Sequence, residues 1–155
     1  MTSKQHALVV AGRCADSAGL IAALRFHRTA APTSYTLLVP ATPHGFAWAT
    51  DMSSGWPEAI DRAERATARM RLAGLEVEET IVGDPDPFAA VGDVLHSRGF
   101  DEVIVATLPR GISTWLKVGL LGRLRRLTDL PVTRIGIDSP ARATLSERQL
   151  AIVAS

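Results

Sequence analysis

Short apolar runs alternate with amphipathic stretches along most of the chain. Ala7-Leu8-Val9-Val10-Ala11 is continuously apolar, as a strand buried on both faces would be, and it ends at Gly12. Asp16 or Ser17 can cap the helix that follows, because a short side-chain oxygen accepts from an otherwise orphan N–H. Leu20, Ile21 and Leu24 share one face of that helix, which runs to about Arg28. Pro32 interrupts the pattern, residues 35–39 read as the second strand, and Pro40 stops it. A second helix is expected from Pro57, at its first position, to Ala73, with Gly74 as its left-handed stop. Ala59, Ala63, Ala66 and Met70 make its narrow inner face. Residues 75–82 then alternate, with Leu75, Val77 and Ile81 on one side and Glu76, Glu78 and Thr80 on the other. One wet face places this strand near a sheet edge.

The second half is more clearly punctuated. Asp86 serves as N-cap, Pro87 as the first helical residue and Gly99 as the residue past the end; Asp84 is an alternative cap, since Pro85 also follows it. Phe88, Val91 and Leu95 form the inward stripe of that helix. Residues 103–106 are fully apolar and belong at the centre of the sheet. Thr107-Leu108-Pro109-Arg110-Gly111 is a loop, and Ser113 caps a helix reaching about Leu127. Residues 132–137 form the last strand, followed by a tail that contains Pro140.

The resulting order, β-α-β-α-β-α-β-α-β, requires right-handed crossovers and a parallel sheet with helices on both faces. The first and fourth strands are the most apolar and the third the most amphipathic, which the strand order 3-2-1-4-5 satisfies. The fold class is therefore α/β, an open five-stranded parallel sheet. Its topological switch falls between strands one and four, where open α/β sheets bind ligands. Residues 1–137 make one domain, and residues 138–155 are a tail expected to be mobile or associated with a dimer.

Composition narrows the classes of function. Of 155 residues, 46% are hydrophobic and 21% charged, as in globular domains. With 17 basic and 16 acidic residues the net charge is +1, so no bulk charge points to nucleic acid or an anionic membrane. No apolar run reaches the length of a membrane span, and the polar start lacks the apolar core of a signal peptide. The lone cysteine, Cys14, permits no internal disulfide, and a cytoplasmic protein is expected.

The candidate chemistry lies at the switch point. Arg110, with the hydroxyls of Thr107 and Ser113, is suited to hold a phosphate or carboxylate at a helix start; the plainer reading is a turn with a solvated arginine and a capping serine. Arg13 is a second anion contact, beside Gly12. Cys14 near a helix start is either a reactive thiol or a small buried hydrophobe, and no histidine stands in an obvious partner position. His6, His27, His44 and His96 lack metal-ligand spacing. Asp84 and Asp86 read as caps rather than paired acids. Residues 40–56 carry Phe46, Trp48 and Trp56, as a ligand lid or as a loop packed on the domain or a partner. The basic stripe of Lys117, Arg123, Arg125 and Arg126 reads as a solvated helix face.

Three segments carry a family resemblance. VGDPDPFAAV at 82–91, FDEVIVATLPRG at 100–111 and LPVTRI at 130–135 together resemble the universal stress protein family, over about residues 6–137. The resemblance implies a Rossmann-like sheet of the order given above, a role in stress response, a homodimer formed through the last strand, and binding or signalling without catalysis. Members of the family that bind ATP hold it through G-x2-G-x9-G-[S/T] after the fourth strand; this chain lacks the intact motif, so it is expected not to be a standard ATP binder, with ATP or another adenine nucleotide as the alternative ligand. Here Thr107 and Arg110 stand at the first two glycine positions and Gly111 comes one place late, while Gly119 or Gly122 approximates the distal glycine. The aspartate common after the first strand is Gly12, followed by Arg13. The expected lining is thus Gly12, Arg13, Pro40, Thr107, Pro109, Arg110, Gly111, Ser113 and Gly122, around a small anionic ligand. Two other readings remain: a nucleotide binder or weak nucleotide hydrolase with a divergent phosphate loop, and a partner-docking module using the basic helix and the aromatic loop.

Overall fold

The computed structural model describes residues 3–41, 55–108 and 119–137. In chain order the elements are β1 (Gln5–Ala11), α1 (Ala18–His27), β2 (Thr33–Pro40), α2 (Trp56–Leu72), β3 (Glu76–Gly83), α3 (Pro87–Ser97), β4 (Glu102–Thr107), α4 (Leu120–Leu127) and β5 (Val132–Gly136). The strands form one five-stranded sheet in the order β3-β2-β1-β4-β5, and every neighbouring pair is parallel. This is the order that the strand patterns require.

β1 is continuously apolar because each of its faces is covered. Ala7, Val9 and Ala11 join the core beneath α1 and α2, whereas Leu8 and Val10 join the core beneath α3 and α4. β4 divides in the same way, Ile104 and Ala106 to the first core and Val103 and Val105 to the second. On α2 the small side chains of Ala59, Ala63 and Ala66 are buried beside Met70, which lets the helix lie close to the sheet.

Local chemistry sets the helix ends. Ser17 Oγ accepts from Leu20 N–H at 3.2 Å, so Ser17, not Asp16, caps α1. Asp86 caps α3 by accepting from Phe88 N–H at 3.0 Å. Asp84 instead accepts from Asp86 N–H at 2.9 Å and makes the turn that leads into the cap. Gly74, with φ 84°, is the left-handed stop after α2. That helix starts at Trp56, one residue before the expected Pro57.

Three expectations need correction. β3 does not alternate throughout: its register with β2 slips between Tyr35 and Thr36, where Val77 and Glu79 are the successive partners and Glu78 is passed over. The extra residue reverses the phase, so Val77 faces the core of α1 and α2 while Ile81 packs against the other core. Gly99 follows the α3 cap residue Arg98, yet its φ is not left-handed; the helix ends through an extended Arg98 at φ −142°. Finally, β2 is longer than expected and takes in Pro40 as its last residue, buried and paired with Gly83.

Candidate functional site

Residues at the C-terminal ends of β1 and β4 meet where the chain's winding reverses. Ala11 pairs with Ala106, so the loop that starts at Gly12 stands beside Thr107 and Leu108. The β1–α1 loop is a pair of tight turns, closed by Ala15 N–H to the Gly12 carbonyl and Ser17 N–H to the Cys14 carbonyl, each at 3.1 Å. α2 fixes it from the side: Arg65 Nε donates to Asp16 Oδ2 at 3.2 Å, and Arg69 Nη1 donates to the Asp16 carbonyl at 2.6 Å. The Asp16 carboxylate is therefore a structural partner of Arg65.

Within this loop Arg13 and Cys14 have opposite fates. Arg13 is exposed and forms no hydrogen bond or ion pair among the described residues. Cys14 is 4% exposed, its thiol within 3.7 Å of the Ala106 carbonyl, and burial pushes the thiol up to about 11. A thiolate is the reactive form, so the reading of Cys14 as a small buried hydrophobe prevails.

Thr107 closes β4 and is 1% exposed. Its carbonyl accepts from Ile137 N–H at 2.7 Å, and its hydroxyl accepts from Arg134 Nε at 3.0 Å. Arg134 belongs to β5, two residues before its end, and its Nη2 lies against the strand's last residue, Gly136. Arg134 is not among the lining residues expected from the sequence. The bond to Thr107 fixes a guanidinium at the C-terminal end of the sheet, with only Nε engaged among its described contacts. The two residues lie 27 apart in sequence, so no local spacing could have shown the pairing.

The other expected lining residues divide into two groups. Pro40 ends β2 next to the switch-point strands, but Gly122 sits in the first turn of α4, exposed and with open space where a Cβ would stand. Nothing there requires a glycine, and Gly119, with φ 66°, is the residue that shapes the start of α4. Pro109, Arg110, Gly111 and Ser113 lie outside the described residues, as do Lys117 and most of the aromatic loop.

Away from the switch point, a cleft of about 400 Å³ runs along the upper part of β3 between Trp56 and α3. Neither Arg13 nor Thr107 borders it. Among the described residues no group of three or more His, Cys, Asp or Glu is placed to hold a metal ion. No described helix is long and apolar enough to cross a membrane.

No family model and no curated protein matches the chain. Among solved structures it is similar to a universal stress protein whose crystal structure was determined in complex with cAMP. The identity is 20%, the match covers 85% of this chain and 98% of that one, and the TM-score is 0.47.

Proposed function

We propose that this chain is a non-enzymatic binding or signalling module of universal-stress-protein type, acting in the cytoplasm, whose switch-point crevice takes a small anion. The observation that carries the reading is an arginine fixed at the C-terminal end of the sheet: Arg134 is held by the hydroxyl of Thr107 at the end of β4. Arg13, just past the end of β1, has no partner among the described residues. An arginine already anchored through Nε presents its remaining N–H groups to an anion at a reduced ordering cost. A buried, protonated Cys14 supplies no nucleophile, which favours binding over catalysis.

ATP and other adenine nucleotides are the first ligands to test, because phosphates match guanidinium geometry. A thermal-shift series with ATP, ADP, AMP and cyclic AMP at millimolar concentration is the deciding experiment. A ligand present at about 100 times its Kd stabilises the native state by about 2.7 kcal/mol. At least one nucleotide is expected to raise the midpoint, with the rise reduced in Arg134→Ala. A flat response to all four removes nucleotides from the reading. β5 is an outer strand with mostly exposed side chains, and the homodimer belongs to the same proposal, with pairing through that edge. Solution mass at micromolar concentration tests it, with a doubled mass expected.

A further inference from the structure

The opposite outer edge of the sheet, β3, is covered along its lower half, and along its upper half no described residue bonds it. Below, the Val77 carbonyl accepts from Arg71 Nη2 at 3.0 Å. Arg98 then clasps Glu79 with two bonds of 2.6 Å, Nε to Oε2 and Nη2 to Oε1. These cations cover the part of the edge next to the register slip. Above it the main chain alternates regularly. The Gly83 carbonyl accepts from Ala41 N–H at 3.0 Å on the β2 side. In a strand of period two, Val82 and Thr80 therefore turn their N–H and C=O groups outward. Among the described residues no loop or side chain bonds those outward groups.

The cleft of about 400 Å³ lies directly beside this open stretch. Its walls are Trp56, which is 36% exposed, the half-buried Ile81 and Val82 of β3, and the exposed Asp93, Ser97 and Arg98 at α3. Glu79 neutralises Arg98, so among the described residues Asp84 and Asp93 are the cleft charges without a cationic partner. Asp84 gives one oxygen to Asp86 N–H, and Asp93 is exposed on α3. The surface thus combines main-chain donors and acceptors that no described residue bonds, an apolar wall and a net negative charge.

We propose that this upper edge of β3 receives an extended, basic peptide segment of a partner protein, which pairs in the manner of an added strand. The main chain of the peptide bonds the outward groups of Thr80 and Val82. One of its apolar side chains lies against Trp56 and Val82, and a lysine or arginine reaches Asp93. A second copy of this chain fits less well. A second copy would bring the same acidic Asp84 and Asp93 to the seam, and like charges brought together are unfavourable. Arg71 and Arg98 further limit the free stretch to the residues above Glu79, too short for full strand-to-strand pairing between copies.

The test uses the full chain labelled with ¹⁵N and two synthetic octapeptides, one alternating lysine and valine, the other glutamate and valine. The lysine–valine peptide is expected to shift the amide signals of residues 80–83, saturably and more weakly at high salt. Asp93→Lys, an exposed helix position, is expected to weaken binding at least tenfold. Val82→Pro removes one outward donor at an edge position that accepts proline and is expected to abolish binding. Should Val82→Pro not fold, Asp93→Lys decides alone. The proposal is overturned by an absence of shifts at millimolar peptide, by an equal response to the glutamate–valine peptide, or by unchanged binding in Asp93→Lys. Concentration-dependent shifts of the same amides without peptide would also overturn it, in favour of self-pairing.

Discussion

At the N-terminal end of the sheet, His27 is held on both sides of its ring, by the Tyr35 hydroxyl at 2.9 Å and by Glu102 at 2.5 Å. Tyr35 also donates to the Leu24 carbonyl at 3.2 Å. Nearby, His6 reaches the Thr36 hydroxyl at 2.8 Å, donates its main-chain N–H to the Asp101 carboxylate at 2.7 Å and accepts from Asp101 N–H at 2.8 Å. At the C-terminal end, by contrast, Arg13 has no partner among the described residues and Arg134 is anchored through Nε alone. The first end has its hydrogen-bonding capacity satisfied internally, and so contributes to stability. At the second end no described residue bonds the Arg13 guanidinium or the outer N–H groups of Arg134. A polar group left unmatched within the fold is better evidence of a site than a polar group that is merely present.

The largest effect expected from this contrast is on stability at the N-terminal end. His27→Ala leaves the half-buried Glu102 carboxylate without its neighbour and frees the end of α1 from the sheet. Losing a hydrogen bond to a charged group costs about 1.5–3 kcal/mol. A fall of that size in urea unfolding is expected, and a change below about 0.5 kcal/mol would show that the network is ornamental.

Tyr35 gives the same end a pH signature. Burial pushes its hydroxyl up to about 12 from an ordinary value of 10.0, against the opposing hydrogen bond from Thr33. The native state therefore retains a proton that the unfolded chain loses first. The stabilisation is complete below pH 10 and is lost as the pH rises toward 12. Tyr35 is the single tyrosine, so tyrosinate absorbance reports on it alone. A native midpoint near 10 would contradict its burial.

Much of this architecture can be read along the chain, and what cannot be read has identifiable physical causes. The all-apolar β1 and β4 and the mixed β3 specify which strands are central and which is an edge, because burial on one or two faces leaves its mark residue by residue. Ser17, Asp86 and Gly74 act within a few residues of themselves and are equally legible. The slip at Glu78 is not, since a bulge is defined by the partner strand. The bonds of His27 to Glu102 and of Thr107 to Arg134 join residues 75 and 27 apart, and only the assembled sheet brings them together. For that reason the glycine motif pointed to Gly122, which is exposed in α4, and passed over Arg134.

A smaller effect is expected at Thr107. Thr107→Val keeps the shape but removes the hydroxyl that accepts from Arg134. The cost is about 0.5–1.5 kcal/mol for one hydrogen bond, partly offset because the exposed Arg134 can turn to water. The informative readout is the ligand response: any nucleotide-induced thermal shift should shrink in Thr107→Val more than its stability does. An undiminished shift would separate the Thr107–Arg134 pair from the anion site.

The smallest stability effect belongs to Arg13, and there the contrast between the two ends is sharpest. Arg13→Ala removes an exposed side chain that supports no described contact, so unfolding free energy should move by less than about 0.5 kcal/mol. If the C-terminal end is a site, the same substitution should weaken an anionic ligand by about 1 kcal/mol or more, as loss of a charge-assisted contact does. Stability and affinity would then respond in opposite proportion at His27 and Arg13. A loss of stability at Arg13 equal to that at His27 would mean that Arg13 is another internal tie, and the two ends would no longer differ in kind.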